Sequence, residues 1–315
     1  MENSEIQQTG ISRKLFAFNV AVVFLIIVMI FAITSASQKK IAEEISNTKA
    51  SVSTAFNNLN LEAKSAYVLD VKENKVLYKK NEFAQLPLAS ITKLMMALTA
   101  IELVPSNSKI TIKKEFLRAE GDNGLLVDES WVLHDLLDFS LMVSSNDAAR
   151  SIASVVGALD LKTEDYTLGR KDFIAKMNEI AKRLELRQTY FTNESGLDVG
   201  SVSGGYGSAI DVARLMEHLL KEEPEILEAT KYQRINIASK DKVHRAENTN
   251  LDINNIPGLL ASKTGFTEMA GGNLVIAFDA SIGHPIVVVV LGSSIDGRFK
   301  DVSKLVQASL QYTSE

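Results

Sequence analysis

The sequence contains no cysteine, and this absence excludes disulfide bonds, thiolate nucleophiles and cysteine-ligated metals. Histidine is also rare. Its four copies, His134, His218, His244 and His284, lack the spacing of a zinc-binding His-Glu-x-x-His motif, so no metal site is predicted. Basic residues are not in excess either: the formal net charge is -5, and nucleic acid is not an expected partner.

A Gly-x-Ser-x-Gly nucleophile elbow is missing as well, which argues against a hydrolase of the α/β type. Serine chemistry without a histidine base remains open, because a lysine can act as the base instead. The composition is compatible with an enzyme of this kind. Hydrophobic residues make up 46% and charged residues 23% of the 315 residues, which is ordinary for a globular protein with a large core.

One long hydrophobic run lies near the N-terminus, where residues 15–33 contain no charged side chain. At about 1.5 Å per helical residue, this run spans the hydrocarbon core of a bilayer, roughly 30 Å. We therefore expect residues 15–36 to form a transmembrane anchor. A cleaved signal peptide is the alternative, because Thr34-Ser35-Ala36 resembles a cleavage site. The polar residues 37–60 then indicate a stalk, and residues 61–315 a single globular domain.

Hydrophobic patterning predicts strands at both ends of the globular domain and helices between them. The strands are expected at residues 66–70, 75–78, 258–264, 272–279 and 285–292, and the helices at 90–98, 132–140, 147–156, 173–186 and 298–312. The glycine-rich stretch 203–208 indicates a loop, with Ser208 and Asp211 as a helix-capping pair. These elements predict an α+β fold in which one antiparallel sheet from both chain ends is flanked by helices and carries an inserted helical lobe.

The first candidate for chemistry is Ser90, which begins an apolar helix and is followed three residues later by Lys93. Residues at this spacing share one helix face, so the hydroxyl and the amine can meet without a loop movement. The helix N-terminus also offers free N–H groups that favour developing negative charge. The alternative is that Ser90 only caps the helix while Lys93 extends to solvent.

Two further motifs follow in the chain: Ser144-Ser145-Asn146 between two predicted helices, and Lys263-Thr264-Gly265 at the end of an apolar strand. Each motif also has a purely structural explanation: Asn146 would cap a helix, and Lys263 would be a charge that protects an edge strand from pairing. A lysine and a hydroxyl on a strand can instead bind a carboxylate, while the glycine lets a ligand lie close. Together with Ser90 and Lys93, the motifs match the set that class A β-lactamases and penicillin-binding proteins share.

From about residue 64 to the C-terminus, the sequence resembles the D-alanyl-D-alanine carboxypeptidase family, the low-molecular-mass penicillin-binding proteins. The similarity extends to Phe191-Thr192-Asn193 with Gly196-Leu197, and to Asn248-Thr249-Asn250. Two positions depart from the family pattern. Ser145 replaces the usual glycine, which we expect to alter the loop and not the chemistry, and Asn273 stands where a cysteine is common.

The resemblance implies a role for each site residue. Ser90 would attack the D-Ala-D-Ala carbonyl to form an acyl ester, after neutral Lys93 removes its proton. Ser144 would relay a proton to the leaving nitrogen, and Asn146 would hold the substrate amide and orient Lys93. The residues expected to bind the substrate are Asn146, Lys263, Thr264, Gly265, Phe266, Thr267 and Arg298. The N–H groups of Ser90 and Phe266 would form the oxyanion hole. For Arg298 a helix-start role stays open, and no metal or other cofactor is needed.

The resemblance also implies partners and a location. The expected substrate is a peptidoglycan pentapeptide ending in D-Ala-D-Ala, and β-lactam antibiotics are the expected covalent inhibitors. The domain would then face outside a single-pass membrane anchor, with residues 1–14 in the cytoplasm.

Three alternatives to a carboxypeptidase remain open. The same fold and motifs serve a class A-like β-lactamase, for which Glu194 would be the deacylating base, and a DD-endopeptidase. A non-catalytic wall-binding or β-lactam-sensing module is the third. We expect Glu194 to be a solvated loop charge.

Overall fold

The computed structural model describes residues 54–117 and 124–314, and ten scattered positions between 16 and 38. The chain divides into two compact units, residues 1–54 and 55–315. Residues 1–14 and most of the predicted anchor (15–36) and stalk (37–60) lie outside the described residues. The described positions between 16 and 38 are helical. Within the part of the chain that the structure describes, no helix combines the length and the hydrophobicity that a membrane crossing requires.

The second unit is built from twelve strands and six helices in its described residues. The strands are β1 (Ser65–Asp70), β2 (Lys75–Lys80), β3 (Leu86–Pro87), β4 (Lys109–Thr111), β5 (Ser130–Val132), β6 (Tyr190–Phe191), β7 (Gly205–Gly207), β8 (Arg234–Ala238), β9 (Val243–Glu247), β10 (Leu259–Thr267), β11 (Gly271–Asp279) and β12 (Pro285–Ser293). The helices are α1 (Thr92–Leu103), α2 (Leu133–Val143), α3 (Asn146–Asp160), α4 (Tyr166–Arg183), α5 (Ala209–Glu222) and α6 (Gly297–Ser314).

A five-stranded antiparallel sheet with the order β10-β11-β12-β1-β2 forms the centre of this unit. This arrangement confirms the prediction that both ends of the domain contribute to one sheet. Strand β12 contacts α5 and α6, and its residues 286–291 are fully buried. Because a strand alternates its side chains between two faces, burial of every residue means that both faces are covered.

The helical lobe surrounds α1, which is buried from Thr92 to Ala100 and contacts α2, α3, α4 and α5. A helix that is apolar on every side needs such complete cover. Helices α3 and α4 approach closely at Gly157 and Gly169. A Cβ on Gly157 would lie 2.0 Å from the carbonyl oxygen of Gly169, so only glycine permits this crossing.

The structure differs from the predicted elements in several places. Helix α4 begins at Tyr166, seven residues before the predicted start at residue 173, and the short strands β3 to β6 were not predicted. Residues 205–207, predicted as a loop, form β7, which pairs with β3 and β6. The predicted cap of the next helix is confirmed, since the Ser208 side chain accepts a hydrogen bond from the Asp211 amide. Strand β10 continues three residues beyond the predicted end at Thr264, and the hairpin β8–β9 was not predicted at all.

Candidate active site

Ser90 and Lys93 meet where the chain turns into α1. A 3-10 turn over Ala89–Ile91 carries the serine, and the helix that follows carries the lysine. Lys93 Nζ donates a hydrogen bond to Ser90 Oγ at 2.9 Å, and the lysine side chain is 0% exposed. Lys93 therefore does not extend to solvent, and the alternative that we left open for it is wrong.

Lys93 has three hydrogen-bond acceptors: Ser90 Oγ, Asn146 Oδ1 at 2.7 Å and the Ser195 carbonyl oxygen at 2.9 Å. A protonated amine uses all three of its N–H groups on them. A neutral amine keeps two donors, which suffice for Asn146 and Ser195, and its lone pair is then free to accept the Ser90 O–H. Burial lowers the pKa of Lys93 to about 7, although the negative charge of Glu194 acts in the opposite direction.

The second motif forms the junction between α2 and α3. Ser144 ends α2 in the left-handed conformation, with φ 61°, and the Ser145 side chain caps α3 by accepting from the Ala148 amide. Asn146, the residue considered as a cap, is the first residue of α3 instead. The junction directs Ser144 to one lysine and Asn146 to another: Lys263 Nζ donates to Ser144 Oγ at 2.9 Å, and Lys93 binds Asn146.

The third motif lies within β10, at the edge of the sheet. Lys263 is 1% exposed, so it is not an edge-protecting surface charge. Its ammonium also donates to the Thr264 carbonyl oxygen at 3.0 Å. Burial, the charge of Lys93 and the charge of Arg298 hold the pKa of Lys263 well below its usual value. The Thr264 hydroxyl is hydrogen-bonded to that of Thr249, from the segment after β9.

The remaining predicted site residues continue along β10 and into α6. Arg298, in the first turn of α6, donates from Nη1 to the Gly265 carbonyl oxygen at 2.9 Å. Burial lowers its pKa. Phe266 is partly exposed, and Thr267 Oγ1 accepts from the Ala270 amide, which shapes the turn into β11. Arg298 thus combines a helix-start position with a contact to the Lys263-Thr264-Gly265 segment.

The loop 193–197 was not predicted as part of the site, although it supplies an acceptor for Lys93. Asn193 Oδ1 accepts from the amides of Ser195 (3.1 Å) and Gly196 (2.8 Å), which orders the loop. Gly196 has φ +83°, and a Cβ there would overlap the Ala89 carbonyl oxygen. The spacing of Asn193 and Gly196 was the available sequence signal, but it does not reveal which carbonyl faces Lys93.

Glu194 does not fit its prediction as a solvated loop charge. Its side chain is 3% exposed, and Oε2 lies 2.8 Å from Arg170 Nη2 of α4. A carboxylate that leaves water needs a partner of opposite charge, and the guanidinium provides it.

Asn273 joins the turn that carries Ser90 to the sheet from a fully buried position on β11. Nδ2 donates to the Pro87 carbonyl oxygen at 3.0 Å, and Oδ1 accepts from the Gly292 amide at 2.7 Å. The amide side chain therefore satisfies two backbone groups just before Ser90 and at the end of β12. A cysteine at this position has neither hydrogen bond in comparable strength.

The site gathers three basic side chains, since Lys93, Lys263 and Arg298 are all buried within it. Like charges at close range lower one another's proton affinity, and they favour an anionic ligand. A hydroxyl nucleophile, a weak amine base and a concentration of positive charge are the requirements of acyl transfer from a peptide that ends in a carboxylate.

This arrangement is typical of one class of protein, the serine enzymes in which a lysine replaces histidine beside the reactive serine. Comparison with known sequences identifies the family. The model of the D-alanyl-D-alanine carboxypeptidase family of peptidases matches residues 48–294, and the chain belongs to this family.

Two relatives show how far the similarity extends. The chain is 30% identical over 252 residues to the D-alanyl-D-alanine carboxypeptidase DacF of Bacillus subtilis, an alignment that covers 78% of this chain and 61% of DacF. The chain therefore spans less than two thirds of the length of that relative. It is 29% identical over 266 residues to a D-alanyl-D-alanine endopeptidase of Escherichia coli, which covers 82% of this chain and 80% of the relative.

Solved structures confirm the α+β fold of penicillin-binding proteins. Ampicillin-bound penicillin-binding protein D2 of Listeria monocytogenes has a TM-score of 0.68 at 30% identity, over 80% of this chain and 98% of the other. A mutant form of the Streptomyces K15 DD-transpeptidase has a TM-score of 0.72 at 22% identity, over 82% and 100% of the chains, and shows likeness of fold alone.

Proposed function

We propose that this protein is a D-Ala-D-Ala carboxypeptidase that trims peptidoglycan stem peptides through an acyl-enzyme at Ser90. The observation that carries the proposal is the 2.9 Å hydrogen bond between Ser90 Oγ and a completely buried Lys93 Nζ. An amine with a pKa of about 7 is neutral often enough at physiological pH to take a proton from the serine.

Acylation follows from these contacts. Ser90 Oγ attacks the carbonyl carbon of the penultimate D-alanine while its proton passes to Lys93 Nζ. The negative charge on the carbonyl oxygen is stabilised by the N–H groups of Ser90 and Phe266. Asn146 and the Ser195 carbonyl hold the amine through this step, because both hydrogen bonds are compatible with either protonation state of Lys93.

The leaving group needs a proton, and Ser144 is the proposed donor. As the C–N bond breaks, the Ser144 hydroxyl gives its proton to the nitrogen of the terminal D-alanine, and Lys263 stabilises the oxygen that remains. The terminal carboxylate binds Lys263, Thr264 and Arg298, whose polar and charged groups favour an anion. The proton on Lys93 Nζ then restores the Ser144 hydroxyl, and the amine is neutral again. Water attacks the ester, its proton passes to Lys93 Nζ and from there to Ser90 Oγ as the ester C–O bond breaks, and the shortened peptide leaves with a new carboxyl group.

The same acylation chemistry extends to β-lactams, since the Listeria relative was crystallised with ampicillin. A strained lactam amide presents Ser90 with a carbonyl and the Lys263 region with a carboxylate. We also propose that residues 15–36 anchor the protein in the cytoplasmic membrane, with residues 37–60 as the stalk and the domain 61–315 outside. This placement is the one in which peptidoglycan is accessible.

A DD-endopeptidase is the second candidate, because the Escherichia coli relative bears that name. Endopeptidase and carboxypeptidase share the acylation step and differ only in the amine that leaves. The β-lactamase alternative is less well supported: its proposed base, Glu194, is buried in an ion pair with Arg170.

Fluorescent penicillin labelling of the full chain in detergent tests the acyl-enzyme. Wild-type protein and a Ser106→Ala variant are expected to be labelled equally, whereas Ser90→Ala is expected to remain unlabelled. Ser106 is a matched control, because it also begins a Ser-x-x-Lys sequence but lies exposed after α1. Labelling of Ser90→Ala would refute the role of Ser90. Release of D-alanine from a pentapeptide, compared with cleavage of a cross-linked dimer, distinguishes the two peptidase activities.

A further inference from the structure

The loop that binds Lys93 also carries a buried carboxylate. Glu194 immediately precedes Ser195, whose carbonyl oxygen accepts from Lys93 Nζ at 2.9 Å. The Glu194 side chain points into the protein and pairs with Arg170 of α4 at 2.8 Å. Two interactions therefore hold the loop in place. Asn193 accepts hydrogen bonds from the amides of Ser195 and Gly196 within the loop, and Glu194 pairs with α4 of the helical lobe.

The charge of Glu194 acts on a site that is otherwise cationic. The charged groups that interact electrostatically with Lys93 are Glu194 from this loop and Lys263 from β10, and Arg298 acts in turn on Lys263. An anion near Lys93 stabilises its protonated form, while the cations destabilise it. Glu194 is thus the group that keeps the proton affinity of Lys93 from falling further.

Arg170 moderates this effect and is itself only partly buried. Its side chain is 31% exposed and lines a surface cavity of about 310 Å³, where Arg150, Glu164 and Asp165 also lie. Water screens the guanidinium on that side, so it offsets the Glu194 charge incompletely.

We propose that Glu194 and Arg170 are positioning residues for Lys93, holding the Ser195 carbonyl in place and setting the pH at which the lysine becomes a base. This inference rests on the proposed function. It assigns no proton transfer to Glu194, and it differs from the β-lactamase hypothesis in which Glu194 would activate water.

The two partners have opposite charges, so the inference predicts opposite results for their removal. In Glu194→Gln the anion is lost, and the acidic limb of the pH profile for Ser90 acylation is expected to move to lower pH. In Arg170→Gln the anion is no longer offset, and the limb is expected to move to higher pH. Shifts of roughly 0.5 to 1 pH unit are expected for a single charge at this range.

The experiment measures the second-order rate of fluorescent penicillin labelling between pH 5 and 9 on the full chain. Arg170→Lys preserves the charge and is expected to retain the wild-type profile. Glu102→Gln is the matched control, because it breaks a different ion pair made by α4, the one between Glu102 of α1 and Arg183. Its profile is expected to remain that of the wild type.

If the Glu194–Arg170 pair had only a structural role, removing either partner would lower the stability and the labelling rate. The acidic limb of the pH profile would then stay at the same pH. Thermal unfolding of each variant therefore accompanies the profiles. Shifts in the same direction for Glu194→Gln and Arg170→Gln, or no shift in either, would overturn the inference even if both variants lost activity. If wild-type protein were unlabelled at every pH, the proposed function would fail and the inference with it.

Discussion

A Cβ atom on Gly265 would lie 2.8 Å from the carbonyl oxygen of Leu88 and 3.2 Å from the amide nitrogen of Ser90. The edge of β10 therefore touches the backbone of the turn that carries Ser90 directly. This contact fixes the distance between Ser90 and the Lys263-Thr264 segment. Position 265 therefore needs glycine so that β10 can pack against this turn, and not only so that a ligand can lie close.

Gly265→Ala is expected to force β10 away from the Ser90 turn, because backbone atoms cannot move aside as a flexible side chain can. We expect a loss of stability of about 1–3 kcal/mol, as in other overpacked interiors. Acylation is expected to slow by roughly 100-fold, the cost of a displacement near 1 Å. Chemical denaturation and penicillin labelling measure the two effects.

Gly200→Asn is the control for this substitution. Gly200 has φ +60° and open space around it, and asparagine tolerates that conformation. The Gly200→Asn variant is therefore expected to match the wild type in both stability and labelling rate. An unchanged labelling rate for Gly265→Ala would mean that the turn and the strand are not in rigid contact.

The pH dependence of acylation is expected to follow the titration of Lys93. Since the neutral amine is the reactive form and its pKa is about 7, the labelling rate should fall close to tenfold per pH unit well below pH 7. It should level off above pH 8. Stopped-flow labelling at constant ionic strength checks this, and a rate independent of pH between 5 and 8 would contradict the assignment of Lys93 as base.

Asn273→Ala is expected to destabilise the protein, because it leaves the Pro87 carbonyl and the Gly292 amide without their partner. Each unsatisfied buried group costs about 1–3 kcal/mol. The labelling rate should also fall, since Pro87 lies three residues before Ser90. Denaturant unfolding gives the free energy, with the exposed Asn107→Ala as the control that should change nothing. Equal stability of the two variants would show that water replaces both hydrogen bonds.

The buried carboxylate of Glu129 predicts acid sensitivity. Burial alone would raise the pKa of Glu129, but hydrogen bonds from Ser239 and the Leu126 amide, together with His244, hold it below its usual value. A carboxyl group with a depressed pKa in the folded state stabilises the fold above its unfolded pKa, near 4.5. That contribution is lost as the pH falls through the folded value.

Glu129→Gln is therefore expected to be less stable than the wild type at pH 7, and the difference should shrink below pH 4.5. Denaturant titrations at pH 7, 5 and 4 measure it, with exposed Glu164→Gln as the reference. A difference that stays constant across these pH values would show that Glu129 contributes packing and not charge.

The sequence predicted most accurately what depends on local spacing. Lys93 lies three positions after Ser90, and this spacing predicted their contact, although Ser90 lies in a 3-10 turn just before α1 and not in the helix itself. The runs of apolar and β-branched residues between turn residues likewise predicted β11 and β12 within one residue of their observed ends. Lys263 was correctly placed on a strand, but its complete burial was not predictable, because the groups that cover it come from distant parts of the chain.

Contacts between distant segments account for what was missed. Nothing in the sequence around Glu194 indicates that Arg170, from α4, reaches it, and an isolated glutamate in a polar loop is usually solvated. The sequence indicates the hairpin β8–β9 only weakly. Ile235 and Ile237 alternate with polar residues before the turn, but His244 and Ala246 on the return strand are not typical strand residues.

The pairing of β1 with β12 has a consequence for how the molecule is made. Asp301 accepts hydrogen bonds from the backbone at Glu62 and Ala63, and the Ala63 contact joins residues 238 positions apart. During synthesis the hairpin β1–β2 therefore keeps an unpaired strand edge until β12 and α6 have left the ribosome. Folding of the sheet should be slow, and interruption of translation anywhere before β12 should yield an aggregation-prone product.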